Sequence, residues 1–396
     1  MKGKGIQKMK NTTRMVFALA AAFALAAQAE TVVDVQRAGA EKTLVSVDVQ
    51  GTAAFRESLA KNLALSGAFR IANPANASIR VTGTVGGEVV AEGRGRRMSM
   101  PSRATDDKAA RMEARTLADK MCETYAKQKG FARDQIAFVC KNGRSEELCV
   151  AYPDGKDVKK LTSYGAGRGC VGPRWKNPGT LFTTGYRNGA PQVFEIDVAT
   201  GRDRLLWGFG GLTTGATLSP DGRRAALILS KPFGNPELCT IDIAANNCNR
   251  MTTTRTANEG QPTWSPDGKK IAYVSDESRR QHLYIVDVAT KAKRRITAAG
   301  SQNVDPDWGP DGSIAYTTKR GGLAQIAVLS PADGDKSARL VTKPGAWEHP
   351  TWTRDARHVV AERDGALFLV DTAEQGDEPV RLFTIQGRCI TPSIVR

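Results

Sequence analysis

The side chains able to do chemistry are few and widely spaced. Only three histidines occur in 396 residues: His282, His349 and His358. His282 and His358 open or lie within predicted strands and suit packing roles. His349, in "AWEHPTW", stands just before a strand, where a ligand could be met. Asp305 and Asp307 flank a proline in "DPDWGPDG" and offer two carboxylates that would help hold a cation if they faced a cavity; a solvated pair is the plainer reading. The glycine-rich "GAGRGCVG" at 165–172 has the texture of a phosphate loop. It lacks the lysine and the strand-then-helix setting such a loop needs, so it reads as a connection. No G-x-S-x-G elbow marks a serine nucleophile. The expectation is a chain that is not an enzyme, with no catalytic residue, no cofactor and no metal ligand set.

Seven cysteines remain. Cys140 and Cys149 bracket one predicted hairpin turn, and Cys239 and Cys248 bracket another. Antiparallel neighbours come close enough to bridge. Cys170 and Cys389 become a third candidate pair if the chain ends meet; spacing alone leaves the connectivity open. Cys122 falls on the apolar face of a predicted helix and reads as a buried free thiol. Disulfides imply an oxidising compartment, and the start of the chain agrees. Lys8, Lys10 and Arg14 precede an apolar run over 15–27, and Ala27-Gln28-Ala29 has the small-x-small form of a cleavage site. Residues 1–29 are expected to be a cleaved signal peptide, with the remainder exported to a bacterial periplasm. No later stretch is apolar enough to span a membrane.

Loss of residues 1–29 lowers the net charge from +16 to +11, with +4 on residues 30–130 and +7 beyond. No Lys/Arg stripe is interleaved with aromatics, so nucleic acid is not an expected partner. A mild attraction to anionic envelope surfaces is.

The elements that must position these residues come from a repeat. "PTWSPDGKKIAYVSD" at 262–276 has close relatives around Trp175, Leu218, Trp308 and Trp352, at intervals of 43, 46, 44 and 44 residues. A period of 40–50 with several strands per unit is the mark of a propeller blade. Ser265-Pro266-Asp267-Gly268 suits a tight turn. A strand follows, then "HLYIVDV" and a short "RRIT". The tryptophans are read as wedge-filling residues between sheets. Residues 135–162 supply second, third and fourth strands without a first, and the final "RCITPSIVR" supplies a first strand alone. The C-terminal strand therefore completes that blade and closes a ring of six. Before it, residues 41–130 read as a small α/β domain. A helix follows Thr52 as N-cap, a second runs over about 106–129, and a basic connector, "EGRGRRMSMPSRATDD", leads into it. The fold class expected is mainly β: a six-bladed β-propeller over 131–396, a small α/β domain over 41–130 and an extended arm over 30–40.

Taken together, the recurring "PTWSPDGKKIAYVSD…LYIVDV…RRIT", the arm "ETVVDVQRAGAEKTLVSVDVQ" and "SLAKNLALSGAFRI" resemble the TolB family of periplasmic propeller proteins. The resemblance implies a non-enzymatic, monomeric scaffold of the Tol–Pal envelope system, serving envelope integrity and outer-membrane constriction at division. Its arm, here Glu30, Val32, Val33, Asp34 and Val35, would engage a TolA-like inner-membrane protein. Its propeller mouth would bind a Pal-like peptidoglycan-associated lipoprotein. The loops entering the innermost strands carry that mouth: Gly211, Leu212, Gly215, Asn258, Glu259, Gly260, Asn303, Asp305, Glu348 and His349. Two rival functions fit the same fold. An envelope lyase or hydrolase needs convergent His and carboxylate ligands. A glycan or peptidoglycan binder needs aromatics exposed at the mouth, for which Trp347 and Trp207 are the candidates.

Overall fold

The computed structural model describes residues 42–165, 167–187, 189–373 and 378–395. The expected signal peptide and arm, with Glu30, Val32, Val33, Asp34 and Val35, lie outside the described residues. Among these residues no helix is long and apolar enough to cross a membrane.

The α/β portion is built from alternation. In β1 (Thr43–Gln50) Val45 and Val49 point into the core. Thr52 caps α1 (Ala53–Leu65), its hydroxyl accepting from the Ala54 amide at 3.1 Å. Strands β2 (Phe69–Ile71) and β3 (Ile79–Thr84) flank β1 in parallel, and β4 (Glu88–Gly93) and β5 (Arg96–Pro101) extend the sheet antiparallel. β5 corrects the expectation of a flexible basic connector. Arg94 and Gly95, both at positive φ, make a two-residue hairpin turn, and Met98 and Met100 then alternate with polar residues. The second helix, α2 (Asp107–Met121), begins where expected, with Asp106 as its cap. It ends earlier than its pattern suggests and passes into one π-helical turn, Cys122–Ala126.

Six four-stranded sheets follow, each antiparallel and in chain order from the inside out, except that the last is completed by the terminal strand. Blades one to five occupy 170–207, 213–250, 259–295, 302–340 and 347–381. In blade six, Arg388–Ile394 is the innermost strand, pairing with Ile136–Asn142 so that Cys389 faces Cys140. The predicted closure of a six-bladed ring is therefore what the structure shows. Each seam between neighbouring blades holds its own apolar cluster. Trp264, Trp308 and Trp352 are buried in three of them and Trp175 packs against a fourth. The indole N–H of Trp264 donates to the Thr217 carbonyl of the preceding innermost strand at 3.1 Å, and that of Trp175 to Ser393 at 2.9 Å, tying the first blade to the last.

The Ser-Pro-Asp-Gly turn works through its side chains. The Ser265 hydroxyl accepts from the Lys270 amide at 2.9 Å and donates to Asp267, while Gly268 takes φ +66°. In the degenerate "TRDA" turn Ala356 adopts φ +57° in glycine's place, and Asp355 compensates by bonding His358 Nδ1 at 2.6 Å.

Two of the three expected cysteine pairings are not formed. Cys140 and Cys149 are joined, with Cα atoms 6.1 Å apart. Cys170 and Cys389 are free thiols: the ring does bring the chain ends together, but Cys170 packs in the seam between blades six and one and Cys389 in the seam between five and six. Cys239 and Cys248 are also free. Their register offset, Cys239 facing Arg250 and Cys248 facing Ile241, is the same two-residue diagonal as that of Cys140 and Cys149. Their thiols share a hydrogen bond, which draws the exposed Cys248 down to about 7 and, with burial, pushes Cys239 up.

Candidate functional site: the propeller mouth

Every innermost strand carries one residue in the left-handed region, at the same level of the channel. They are Gly172, Gly215, Gln261, Asp305, His349 and Thr391, with φ between 49° and 71°. Strand pairing slips beside each of them, so each is a β-bulge. A bulge turns an amide away from its own ladder, and groups from neighbouring blades collect it. The amide of Gly215 donates to Thr184 Oγ1 at 3.3 Å, that of Asp305 to Gln261 Oε1 at 2.9 Å and that of Thr391 to Glu362 Oε2 at 3.3 Å. Left-handed backbone in non-glycine residues costs on the order of 1 kcal/mol each, and four of the six positions accept it. Gly172 and Gly215 leave one side of the channel bare of side chains. The other side carries the linked series Gln261, Asp305 and His349, in which Gln261 Nε2 donates to Asp305 and His349 Nδ1 lies 3.0 Å from Asp305 Oδ1.

A cavity of about 400 Å³ opens at this level, lined by residues including Asn258, Glu259, Gly260, Asp305, Glu348 and His349. Its electrostatics are set by crowded carboxylates. Burial pushes Asp305 up, but the charge and hydrogen bond of His349, with the Thr317 hydroxyl, hold its carboxyl below the usual range. Burial pulls His349 down, and Asp305 more than reverses this, leaving the imidazole raised. Glu259 is pushed up to about 7, chiefly by burial, although the Ser275 hydroxyl donates to it at 3.0 Å. Glu362 is raised by burial as well. Glu348, His349 and Glu362 each bring one ligand atom within 4.8 Å of the others, a grouping able to take a divalent cation.

The TolB beta propeller domain model matches residues 122–394, well over half of the chain. The chain belongs to the TolB β-propeller family. Curated relatives include the Tol-Pal system protein TolB of two Francisella tularensis subsp. tularensis strains, WY96-3418 and FSC 198, each 28% identical over 255 residues. That match takes in 60% of this chain and 57% of the relative, so the chain spans little more than half the length of those proteins. The crystal structure of TolB from Acinetobacter baumannii superposes with a TM-score of 0.79 at 20% identity, over 91% of this chain and 98% of that one. A TolB from Agrobacterium tumefaciens reaches 0.51 at 19% identity, over 65% and 91%. These two structures speak to the fold alone.

Against this TolB-type frame, the expected mouth residues divide. Asn258, Glu259, Gly260, Asp305, Glu348 and His349 converge on the cavity, and Gly215 sits in the bulge ring. Leu212 instead packs in a seam and Gly211 lies against Ser230 and Lys231. Asn303 is buried, donating to the Ala299 carbonyl and bonded to His282 Nδ1, both at 2.8 Å. Sequence reasoning overlooked Gln261, Glu362 and Thr391. Aligning the repeats on Asp305 finds Gln261 and Thr391 at intervals of 44 and 86 residues. Trp347 and Trp207, the aromatics put forward for glycan stacking, are 1% and 5% exposed and fill seams instead. Among the described residues, the large apolar side chains exposed on this face are Tyr186, Phe209 and Leu323.

The α/β portion grips the propeller at the opposite end. Arg115 of α2, fully buried, donates from Nε and Nη2 to Asp154 at 3.0 Å and stacks on the Tyr152 ring at 3.8 Å. Ser58 of α1 donates to the same carboxylate at 2.7 Å. Tyr152 and Asp154 belong to the turn joining the third and fourth strands of blade six, so the α/β portion leaves the mouth face uncovered.

Proposed function

We propose that this TolB-family chain is a periplasmic protein–protein scaffold of the Tol–Pal system, without catalytic activity. Its propeller mouth binds a Pal-like peptidoglycan-associated lipoprotein, and its amino-terminal arm engages a TolA-like inner-membrane protein. In this role it links the two membranes for envelope integrity and for constriction at division. The carrying observation is the mouth itself. Bulged innermost strands of three neighbouring blades place Gln261, Asp305 and His349 beside one polar concavity, on the face that the α/β portion leaves uncovered. The kinship with curated Tol-Pal system proteins supports partners drawn from that system in general.

Affinity capture from solubilised envelope tests this, with residues 30–396 and 41–396 as parallel baits. A Pal-like lipoprotein is expected with both, and a TolA-like protein with the longer bait alone. Recovery of neither partner by either bait would reject the scaffold reading. The grouping of Glu348, His349 and Glu362 favours one second reading, a metal-assisted lyase or hydrolase. That reading requires turnover of an envelope polysaccharide or peptide that stops when Glu362→Gln is introduced.

A further inference from the structure

The cations of this chain are spread over both ends of the propeller, Arg223 and Lys269 among them, but the carboxylates beside them differ between the two ends. At the end of the propeller that the α/β portion grips, each turn from first to second strand in blades two to five carries an aspartate. Asp221, Asp267, Asp311 and Asp355 all accept amides of their own turns. The mouth face is different. Across blades two to four, its turns and entry loops expose Lys231, Arg255, Arg279, Arg280, Lys319 and Arg320, and none has an ion pair among the described residues. The two carboxylates beside them are already engaged. Asp276 accepts from the Asn258 amide at 2.7 Å and its side chain at 2.9 Å, and Glu277 pairs with Lys293 at 2.8 Å. Inside this basic crescent acidic groups gather instead, with Glu259, Asp305, Glu348 and Glu362 around the imidazole of His349.

We propose that the crescent of Lys231, Arg255, Arg279, Arg280, Lys319 and Arg320 docks an acidic protein surface, whose carboxylates surround a central cationic or hydrogen-bond-donating side chain that enters the mouth. The inference rests on the scaffold reading, since the acidic surface is assigned to the lipoprotein expected at this face. A protein fits this pattern better than a polyanion. A nucleic acid or an anionic bilayer would present negative charge to the acidic centre as well as to the rim, and like charges at close range oppose contact. Leu323 and Phe209, exposed on the same face, supply apolar contact beside the charges. Unpaired rim cations act mostly on the approach of the partner, raising association rates roughly 10- to 1000-fold in a salt-dependent way.

The test uses the mature chain and a variant carrying Arg279→Glu, Arg280→Glu, Lys319→Glu and Arg320→Glu. Association and dissociation rates with the soluble domain of the same organism's peptidoglycan-associated lipoprotein are followed from low to high sodium chloride. All four residues are exposed, so an unchanged melting temperature is the check on folding. The expected result is an association rate for the parent that falls with salt, and a loss of about 10-fold or more at low salt in the variant. Binding that ignores both salt and charge reversal, or strengthens on reversal, would overturn the crescent while leaving the scaffold reading intact. Failure of the parent to bind at all would remove the scaffold reading, and this inference with it.

Discussion

Glu259 sits at the mouth beside Ser275 and Glu237, and its carboxyl is pushed up to about 7, first by burial. The sign of the consequence follows from proton counting. Between an unfolded value of 4.5 and a folded value near 7, the folded chain holds the proton more tightly. Stability from this group is full below 4.5 and is lost as pH rises through about 7. Glu259→Gln imitates the protonated form and keeps an acceptor for Ser275. Its melting temperature should match the parent at pH 4.5 and exceed it at pH 8, as thermal melts across that range would show; a variant less stable at both would refute the assignment. Asp305 and His349 behave in the opposite manner. The acid is depressed and the base raised, so their mutual stabilisation holds between the two values, failing as pH falls through the first or rises through the second. At this scale the sequence shows where Asp305 and His349 stand in the repeat. It does not show that their backbones are left-handed, because a bulge is a property of two strands and not of one residue.

At the scale of elements, α2 and the blade-six turn are held together by Arg115. Its guanidinium is buried, and burial alone would push the Asp154 carboxyl up; the hydrogen bonds and charge of Arg115 hold it below the usual range instead. Removing one member of such a pair strands the other charge in a dry site, at a cost of about 3–5 kcal/mol. Arg115→Ala should therefore lower the denaturation midpoint by a corresponding amount, and denaturant titration followed by tryptophan fluorescence reads it. A loss under about 1 kcal/mol would mean that water reaches Asp154 and the junction is loose. The apolar face of α2 is plain in its three- and four-residue spacing. Arg115 is not, since nothing within the helix distinguishes it from its solvated neighbours. The strand Arg96–Pro101 was legible in principle from Arg94-Gly95 and the alternating methionines, but four arginines within 94–103 disguised it as a linker.

For the molecule as a whole, closure is the decisive event. Arg388–Ile394 supplies the innermost strand of blade six, and Ser393 receives the Trp175 indole of blade one. Without residues 388–396 the edge of Ile136–Asn142 is opened and the apolar clusters on both sides of blade six lose members, and an open edge invites pairing between molecules. Such a truncation should lose its cooperative thermal transition and run as aggregate on size-exclusion chromatography; a monomer with the parent's melting temperature would show that the ring does not depend on its closing strand. The repeat, the number of blades, this closure and the Cys140–Cys149 hairpin were all determined by the sequence, because turn residues, strand alternation and period are written in near neighbours. Only the tertiary structure decided the ring of left-handed residues, the basic crescent around an acidic centre, the seams that keep Cys170 from Cys389, and the Arg115–Asp154 junction. Each of these depends on desolvation and charge between groups distant in sequence but close in space, and those energies exist only once the chain has folded.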